Sequence, residues 1–261
     1  MNSDQALTAL RTQAPLVHCI TNYVAMNIAA NVVLAAGASP AMVHAEAEVA
    51  DFAPISGALT INIGTLSPGW VSAMHLAADA ANKAGKPWVL DPVAHFATPY
   101  RGQVVRDLIE QKPAIIRGNA SEILALSGAA TAGKGADSGD SVADAEAAAT
   151  ALAKAQKCVI AITGEVDFVT DGDRAARISG GSKLMPVVTA IGCSLTALMG
   201  AFAAVAPPLE AAVAALAMFA EAGSRAAQTA KGPGSFQVAF LDALHQVQPS
   251  SLGKDARIEW L

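Results

Sequence analysis

The apolar residues of this chain fall into short continuous runs, and polar turn residues end each run. Four of these runs predict buried strands: Ala58–Ile63, Trp88–Leu90, Ala114–Ile116 and Cys158–Ile162. Short runs without polar–apolar alternation are typical of strands in a sheet that is covered on both faces. The stretch LVHCI, shortly before Asn22, also has the character of a strand.

The segments between these runs have helical character. They predict helices at Val71–Ala84, Arg101–Gln111, Ala143–Ala155 and Ser194–Val205, followed by the alanine-rich Leu209–Ala230. Alternating strands and helices indicate an α/β fold, a mainly parallel central sheet flanked by helices on both faces. We find no internal repeat and no proline-rich linker, so we expect one domain over residues 1–261. Loops are expected at Ser127–Asp140 and Gly180–Lys183.

Composition and charge exclude several classes of protein. Hydrophobic residues make up 53% and charged residues 15% of the chain, which is enough for a large core and unlike a disordered protein. The net charge of −5 argues against a nucleic-acid-binding protein. The uncharged segment before Glu210 contains many alanines and several polar residues, so we expect a buried helix there and no membrane span. An odd count of three cysteines predicts no disulfide framework and a reducing, cytoplasmic location.

Asp91 follows the apolar run WVL and precedes Pro92. The proline keeps the backbone of Asp91 extended. In open α/β folds, catalytic and ligand-binding residues lie beyond the carboxyl ends of the strands, where a carboxylate can face magnesium or phosphates. Aspartate before proline is also a common turn residue. Asp91 taken alone leaves both interpretations open.

The segment IIRGNASE, Ile115–Glu122, places a helix start directly after a strand. Asn119, with Glu122 three residues later, has the pattern of a helix-capping box. The functional interpretation places Glu122 near a hydrated magnesium ion and Arg117 on a nucleotide phosphate. Both interpretations are compatible, because a helix N-terminus also favours anions.

The segment AITGE, Ala161–Glu165, marks another strand end. Thr163 and the backbone at Gly164 are placed to contact phosphate. The alternative interpretation is an ordinary transition from strand to turn.

Small residues in VTAIGCSLT, Val188–Thr196, precede a predicted helix. Free backbone N–H groups at a helix start form an anion hole suited to a phosphoryl group in transfer. At that positive helix end we expect the pKa of Cys193 to lie below its ordinary value of about 8.5. A thiolate there can accept a proton from a substrate alcohol. The alternative is a buried cysteine that acts as a small hydrophobic residue.

Two other kinds of site are not supported. The segment GAATAGKG, Gly128–Gly135, is close to a Walker A loop, but no Ser or Thr follows its lysine and no strand precedes it. The five histidines show no i, i+4 pairing with carboxylates, so a structural zinc site is not expected.

Seven motifs occur in order along the chain: PLVHCITNYVAMNIAANVVLAAGASPAM, NIGTLSP, LDPVAHFATPYR, IRGNASE, AITGEVD, GCSLTALMGAFAAV and KGPGSFQ. Together they resemble the hydroxyethylthiazole kinase family of the ribokinase-like superfamily, from about Pro15 to Gln237. The resemblance implies a ribokinase-like fold. It also implies ATP-dependent phosphorylation of the hydroxyl of 4-methyl-5-(2-hydroxyethyl)thiazole, a salvage step of thiamine biosynthesis.

On the acceptor side, the resemblance implies that Asn22 and Met42 line the thiazole pocket. Ala190 is also an expected substrate-binding residue, and the backbone of Ala190–Cys193 is expected to hold the transferred group. Cys193 matches the position where many ribokinase-like enzymes place a catalytic aspartate, so it is the expected catalytic residue.

On the phosphate side, the resemblance implies that Asp91 and Glu122 organise Mg²⁺, directly or through water. Arg117 and Thr163 match contacts to the phosphates of ATP. The resemblance also implies a homotrimer with thiazole sites at subunit boundaries.

This chain departs from the family pattern just before the cysteine. The family loop is typically Gly-x-Gly-Cys, whereas this chain has Ala190-Ile191-Gly192-Cys193. If the first position needs a positive φ, alanine costs on the order of 1 kcal/mol there.

Two further hypotheses stay open at this point. The altered loop motivates a non-catalytic thiazole- or nucleotide-binding protein. A related ribokinase-like enzyme, such as a hydroxymethylpyrimidine kinase or an ATP-dependent dehydratase, is the other, although the ITN and ASPAM segments resemble the thiazole enzyme.

Overall fold

A computed structural model of the chain describes residues 1–128, 142–252 and 257–261. Most of the predicted loop Ser127–Asp140 and of the Walker-like segment Gly128–Gly135 lies outside these residues. The loop predicted at Gly180–Lys183 is confirmed, since it has neither helix nor strand.

The described strands form one sheet. They are β1 (Leu16–Ile20), β2 (Ser39–Ala41), β3 (Ala58–Asn62), β4 (Trp88–Asp91), β5 (Ile115–Asn119), β6 (Val159–Thr163), β7 (Val166–Thr170), β8 (Ala175–Ser179) and β9 (Arg257–Trp260). Their order across the sheet is β2-β1-β3-β4-β5-β6-β7-β8-β9. The pairs from β2 to β6 are parallel and the pairs from β6 to β9 are antiparallel. The mainly parallel α/β fold is therefore confirmed.

The helices are α1 (Ser3–Gln13), α2 (Met26–Ala36), α3 (Val49–Ile55), α4 (Pro68–Lys83), α5 (Pro99–Glu110), α6 (Ala120–Leu126), α7 (Val142–Gln156), α8 (Ile191–Ala203), α9 (Pro208–Thr229) and α10 (Pro233–Gln246). Short 3₁₀ turns occur at His95–Ala97 and Pro249–Ser251. No helix in the described ranges is long and apolar enough to cross a membrane.

Both faces of the sheet are covered by helices. Successive strand residues point to opposite faces, so Val89 packs in one hydrophobic cluster and Leu90 in the other. The cluster of Val89 includes residues of α1, α2 and α8 to α10, and that of Leu90 includes residues of α3 to α7. This two-sided burial explains why the central strands read as continuous apolar runs.

Helices α4 and α5 begin two to three residues earlier than predicted. Ser67 and Thr98 are their N-caps, and each side chain accepts a hydrogen bond from the backbone N–H three residues later. A proline occupies the first helical position of each, where its missing N–H costs nothing.

Two boundaries near the strand ends were predicted wrongly. β5 continues to Asn119, because Arg117, Gly118 and Asn119 pair with β6. α8 begins at Ile191, three residues before the predicted start at Ser194.

Gly200 lets α8 lie unusually close to the sheet. A Cβ at this position would collide with the Cγ2 atom of Thr60 on β3. The close approach places the start of α8 over the carboxyl ends of the central strands.

Candidate functional site

Polar side chains collect at the carboxyl ends of five neighbouring parallel strands. Asn22 follows β1, Asn62 ends β3, Asp91 ends β4, Arg117 lies within β5 and Thr163 ends β6. The first four are buried and Thr163 is half-buried. Parallel strands bring these ends to one edge of the sheet, the usual ligand-binding edge of open α/β folds.

Asp91 is the fully buried acceptor at the centre of this edge. Its Oδ2 accepts hydrogen bonds from Asn62 Nδ2 at 2.8 Å and from Thr196 Oγ1 at 2.7 Å. Arg117 Nη1 approaches the same oxygen at 3.4 Å, whereas Oδ1 has no partner among the described residues. Burial raises the pKa of Asp91 to about 6, the Arg117 charge lowers this pKa and the Glu122 charge raises it.

Arg117 joins three elements. Its Nη2 donates to Thr163 Oγ1 at 2.7 Å, and its Nη1 faces Asp91. A Cβ on Gly192 would lie 3.2 Å from Nη2, so the start of α8 lies against the guanidinium. The arrangement places the charge of Arg117 beside the first-turn N–H groups of α8, a combination suited to bind an anion.

Glu122 and Asn119 cap helix α6, so the capping box is confirmed. The Asn119 side chain accepts from Glu122 N at 2.9 Å, and Glu122 Oε2 accepts from Asn119 N at 2.8 Å. Glu122 Oε1 also accepts from Ala94 N at 2.8 Å. A role for Glu122 toward magnesium stays a prediction.

Cys193 is the third residue of α8 and is partly buried. Asn22 Nδ2 lies 3.4 Å from its sulfur. The expected low pKa is wrong, because burial and the Asp91 charge raise the pKa of Cys193 to about 11. The Arg117 charge and hydrogen bonds from Asn62 and Asn22 act in the opposite direction and offset only part of this rise.

Ala190 directly precedes α8 with φ of 60° and ψ of 8°. This left-handed conformation is the one that glycine adopts without strain. Met42 follows β2 and is half-buried against the hydrophobic cluster that includes α8. The described contacts do not join Met42 to Asn22 or Cys193.

Three polar residues of this region were missed from the sequence. Asn62 interrupts the apolar run ALTINI, and Thr196 lies inside the uncharged helix α8. Asp167 on β7 accepts from Gly164 N at 2.9 Å, and burial raises its pKa to about 7 while Gly164 and Arg117 lower it. A single polar residue in an apolar segment was the only signal for the first two, and β7 was not predicted at all.

A stack of three aromatic rings lies beside Asn22. The Trp70 ring centroid is 4.5 Å from that of Tyr23 and 4.7 Å from that of His44. Tyr23 N donates to Thr65 Oγ1, and the Tyr23 side chain is exposed. The edge near Asn22 therefore offers aromatic surface, whereas the edge near Arg117 offers charge.

The described residues contain no cluster of three or more His, Cys, Asp or Glu side chains arranged to hold a metal ion. A magnesium site is different, because this ion usually keeps several waters and uses one or two carboxylates.

Comparisons with known proteins give one consistent result. The model of the "HK: Hydroxyethylthiazole kinase family" matches residues 7–250. The chain is 63% identical to the hydroxyethylthiazole kinase of Rhizobium rhizogenes, over 97% of this chain and 95% of that protein. It is 65% identical to the hydroxyethylthiazole kinase of Roseobacter denitrificans, over 96% and 98% of the two chains.

Solved structures agree with the sequence comparisons. The hydroxyethylthiazole kinase of Pyrococcus horikoshii OT3 superposes with a TM-score of 0.92 at 38% identity, covering 99% of this chain and 98% of that one. The pyridoxal kinase of Staphylococcus aureus with AMP-PCP and pyridoxal superposes with a TM-score of 0.67 at 16% identity, covering 95% and 98%. The second likeness shows the fold alone.

Proposed function

The chain belongs to the hydroxyethylthiazole kinase family, and we propose that the polar edge from Asn22 to Thr163 is its phosphotransfer site. The enzyme phosphorylates the alcohol of the hydroxyethylthiazole with ATP in thiamine salvage. The observation that supports the site most directly is a continuous hydrogen-bonded line. It runs from Cys193 through Asn22, Asn62 and Asp91 to Arg117.

The acceptor alcohol binds at the Asn22 and Cys193 end of this line. Asn22, Met42 and the backbone of Ala190 bind the thiazole and direct its hydroxyl toward the phosphoryl group. The neighbouring rings of Tyr23 and Trp70 support this assignment, because aromatic surface suits a flat heteroaromatic acceptor.

Cys193 accepts the alcohol proton in its thiolate form and becomes the thiol, late in the transfer. Its raised pKa makes this thiolate a minor species at neutral pH. Phosphoryl transfer has a loose transition state in which the hydroxyl becomes acidic only as that bond forms. The thiolate therefore has to accept the proton only at this late stage.

The phosphates of ATP bind at the Arg117 end. Arg117 and Thr163 contact phosphate oxygens, and the first-turn N–H groups of α8 surround the group in transfer. Placing the guanidinium beside this helix start concentrates positive charge where negative charge spreads over the equatorial oxygens.

The carboxylates present fit a magnesium ion. Asp91 Oδ1 is a buried oxygen without a partner in the described part of the chain, and carboxylate oxygen is the donor that magnesium prefers. Asp91 would hold the ion, with Glu122 contributing through water because both of its oxygens already accept backbone N–H groups. The ion would neutralise phosphate charge.

A substrate panel tests this function. The purified protein is incubated with ATP, Mg²⁺ and one of three alcohols: hydroxyethylthiazole, hydroxymethylpyrimidine or pyridoxal. Mass spectrometry should detect thiazole phosphate as the main product. Thiazole binding by calorimetry without any product would instead support a non-catalytic binding protein, and preferred turnover of another alcohol would assign the site to a related kinase.

We further propose a cytoplasmic homotrimer with its sites at subunit boundaries. Exposed apolar side chains at the acceptor end support self-association: Tyr23 and Val24, directly after Asn22, are each more than half exposed. Sedimentation equilibrium should give three times the monomer mass, and a monomer at micromolar concentration would contradict the proposal.

A further inference from the structure

The Asn62 side chain contacts both halves of the line between Cys193 and Arg117. Its Oδ1 accepts from Asn22 Nδ2 at 2.8 Å and from Gly64 N at 2.9 Å. Its Nδ2 donates to Asp91 Oδ2 at 2.8 Å. Asn62 is 2% exposed, so water does not compete for these bonds.

These bonds leave Asn62 one orientation. A flipped amide would place its NH₂ group against the donors of Asn22 and Gly64, and its oxygen against the carboxylate of Asp91. In the observed orientation every contact joins a donor to an acceptor. Gly64 helps to maintain it, because a Cβ there would lie 2.6 Å from Asn22 Nδ2 and displace the Asn22 amide.

The backbone also fixes the position of Asn62 relative to Asp91. Asn62 and Asp91 are direct Cα partners in the parallel pair of β3 and β4. Thr196 of α8 donates to the same Asp91 oxygen as Asn62. Helix α8, which carries Cys193, is therefore also anchored to Asp91. Moving Asn62 would therefore move Asn22 relative to Asp91.

We propose that Asn62 is a positioning residue that holds the acceptor end of the site, Asn22, in register with the phosphate end, Asp91. It contacts Asn22 and Asp91 directly and also hydrogen-bonds Cys193, and it acts on the reacting atoms through these residues. The inference rests on the proposed phosphotransfer site. It adds a role for a residue that is neither a phosphate ligand nor the proton acceptor.

Loss of this register should lower kcat more than it raises KM. Misplacing an aligned acceptor by about 1 Å can cost on the order of 100-fold in rate. For Asn62→Ala we therefore expect kcat to fall about 10- to 100-fold. The KM for ATP should change less than about twofold, because Arg117 and Thr163 keep their mutual contact.

Asn62→Asp keeps the contact of residue 62 with Asn22 and removes its hydrogen bond to Asp91. Its carboxylate still accepts from Asn22 and Gly64, but it repels Asp91 in place of donating to it. We expect a loss of kcat comparable with that of Asn62→Ala although the bond to Asn22 is kept. This near-isosteric variant also gives a result if Asn62→Ala does not fold.

A double-mutant cycle with Asn22→Ala supplies the decisive readout. Asn62→Ala should reduce kcat much less in the Asn22→Ala background than in the wild type, because its effect passes through Asn22. Asn82→Ala is the matched control: Asn82 also bridges two groups, Trp88 Nε1 and Gln111 O, but lies away from the site. Its kcat should equal that of the wild type.

Additive effects of Asn22→Ala and Asn62→Ala, or a wild-type kcat for Asn62→Asp, would overturn the positioning role. A wild-type protein that forms no thiazole phosphate would instead overturn the proposed function. The two failures are therefore distinguishable.

Discussion

The sulfur of Cys193 and the amide nitrogen of Asn22 lie 3.4 Å apart, although the two residues are separated by most of the chain. The start of α8 therefore meets the end of β1, and the cysteine is held next to an amide donor. An N–H donor favours the thiolate, but burial and Asp91 outweigh it and raise the pKa of Cys193. Cys193 is accordingly a protonated thiol in most molecules at neutral pH rather than a preformed thiolate.

Alkylation kinetics should show this thiol character. With iodoacetamide at pH 7 we expect Cys193 to react about 100-fold more slowly than free glutathione, because little thiolate is present. The rate should rise with pH up to about 11, the pKa of the buried thiol. Peptide mapping separates Cys193 from the buried Cys19 and Cys158. Fast labelling of Cys193 that is already constant at pH 7 would contradict the raised pKa.

Glu122→Ala should destabilise the protein even without magnesium. The change leaves the backbone N–H groups of Asn119 and Ala94 without their acceptor, which should lower the free energy of unfolding by about 2 kcal/mol. Urea denaturation in EDTA measures the loss, and Glu122→Gln, which keeps an acceptor oxygen, is the control with a smaller effect. Equal stability of Glu122→Ala and wild type in EDTA would mean that Glu122 acts only through the metal.

Ala190→Gly should stabilise the protein slightly. Glycine relieves the strain of φ at 60°, although the more flexible unfolded chain offsets part of the gain, so we expect up to about 1 kcal/mol. Ala14→Gly is the matched control, since Ala14 also has a left-handed backbone but lies at the end of α1. If the loop geometry limits catalysis, Ala190→Gly should also raise kcat, whereas Ala14→Gly should not. A loss of stability in Ala190→Gly alone would show that the loop is not strained.

His18 should make stability depend on pH in the acidic range. It is fully buried, its Nε2 lies 2.9 Å from Val43 O, and burial lowers its pKa to about 4 from 6.5. The folded state therefore binds a proton at His18 less readily than the unfolded state does. The neutral imidazole contributes its full stability above pH 6.5, and up to about 3 kcal/mol is lost as the pH falls to 4.

Urea titrations at pH 7 and pH 5 measure this effect. His18→Gln should reduce the difference between the two pH values, and the exposed His245→Gln should leave it unchanged. An unchanged pH dependence in His18→Gln would assign the acid sensitivity to other groups.

The central strands were predictable because burial on both faces leaves a strong signal. Runs such as ALTINI and CVIAI appear within one residue of the observed strands β3 and β6. β7 and β8 were missed because they are only partly buried: the buried residues of β7 are confined to its second half, and those of β8 alternate with partly exposed ones. The early start of α8 was missed because Ile191 and Gly192 are poor signals for a helix start, and tertiary contacts with the sheet decide it.

Single site residues could be predicted from the sequence, whereas the contacts between them could not. Strand-end residues such as Asp91 and Arg117 stood out because a polar residue follows an apolar run. Asn62 did not, since its role depends on which strands are neighbours and on the parallel register with Asp91. The pKa of Cys193 was predicted in the wrong direction because the helix end is visible in sequence, whereas its burial and the nearby Asp91 charge are not.

The most direct test of the site is a crystal structure with the thiazole alcohol and a non-hydrolysable ATP analogue. We predict the alcohol oxygen within hydrogen-bonding distance of Cys193 Sγ, and the terminal phosphate on Arg117 and the first N–H groups of α8. Asn62 should keep its bonds to Asn22 and Asp91 in that complex. An alcohol bound away from Cys193, or a terminal phosphate without contact to Arg117, would contradict this account of the enzyme.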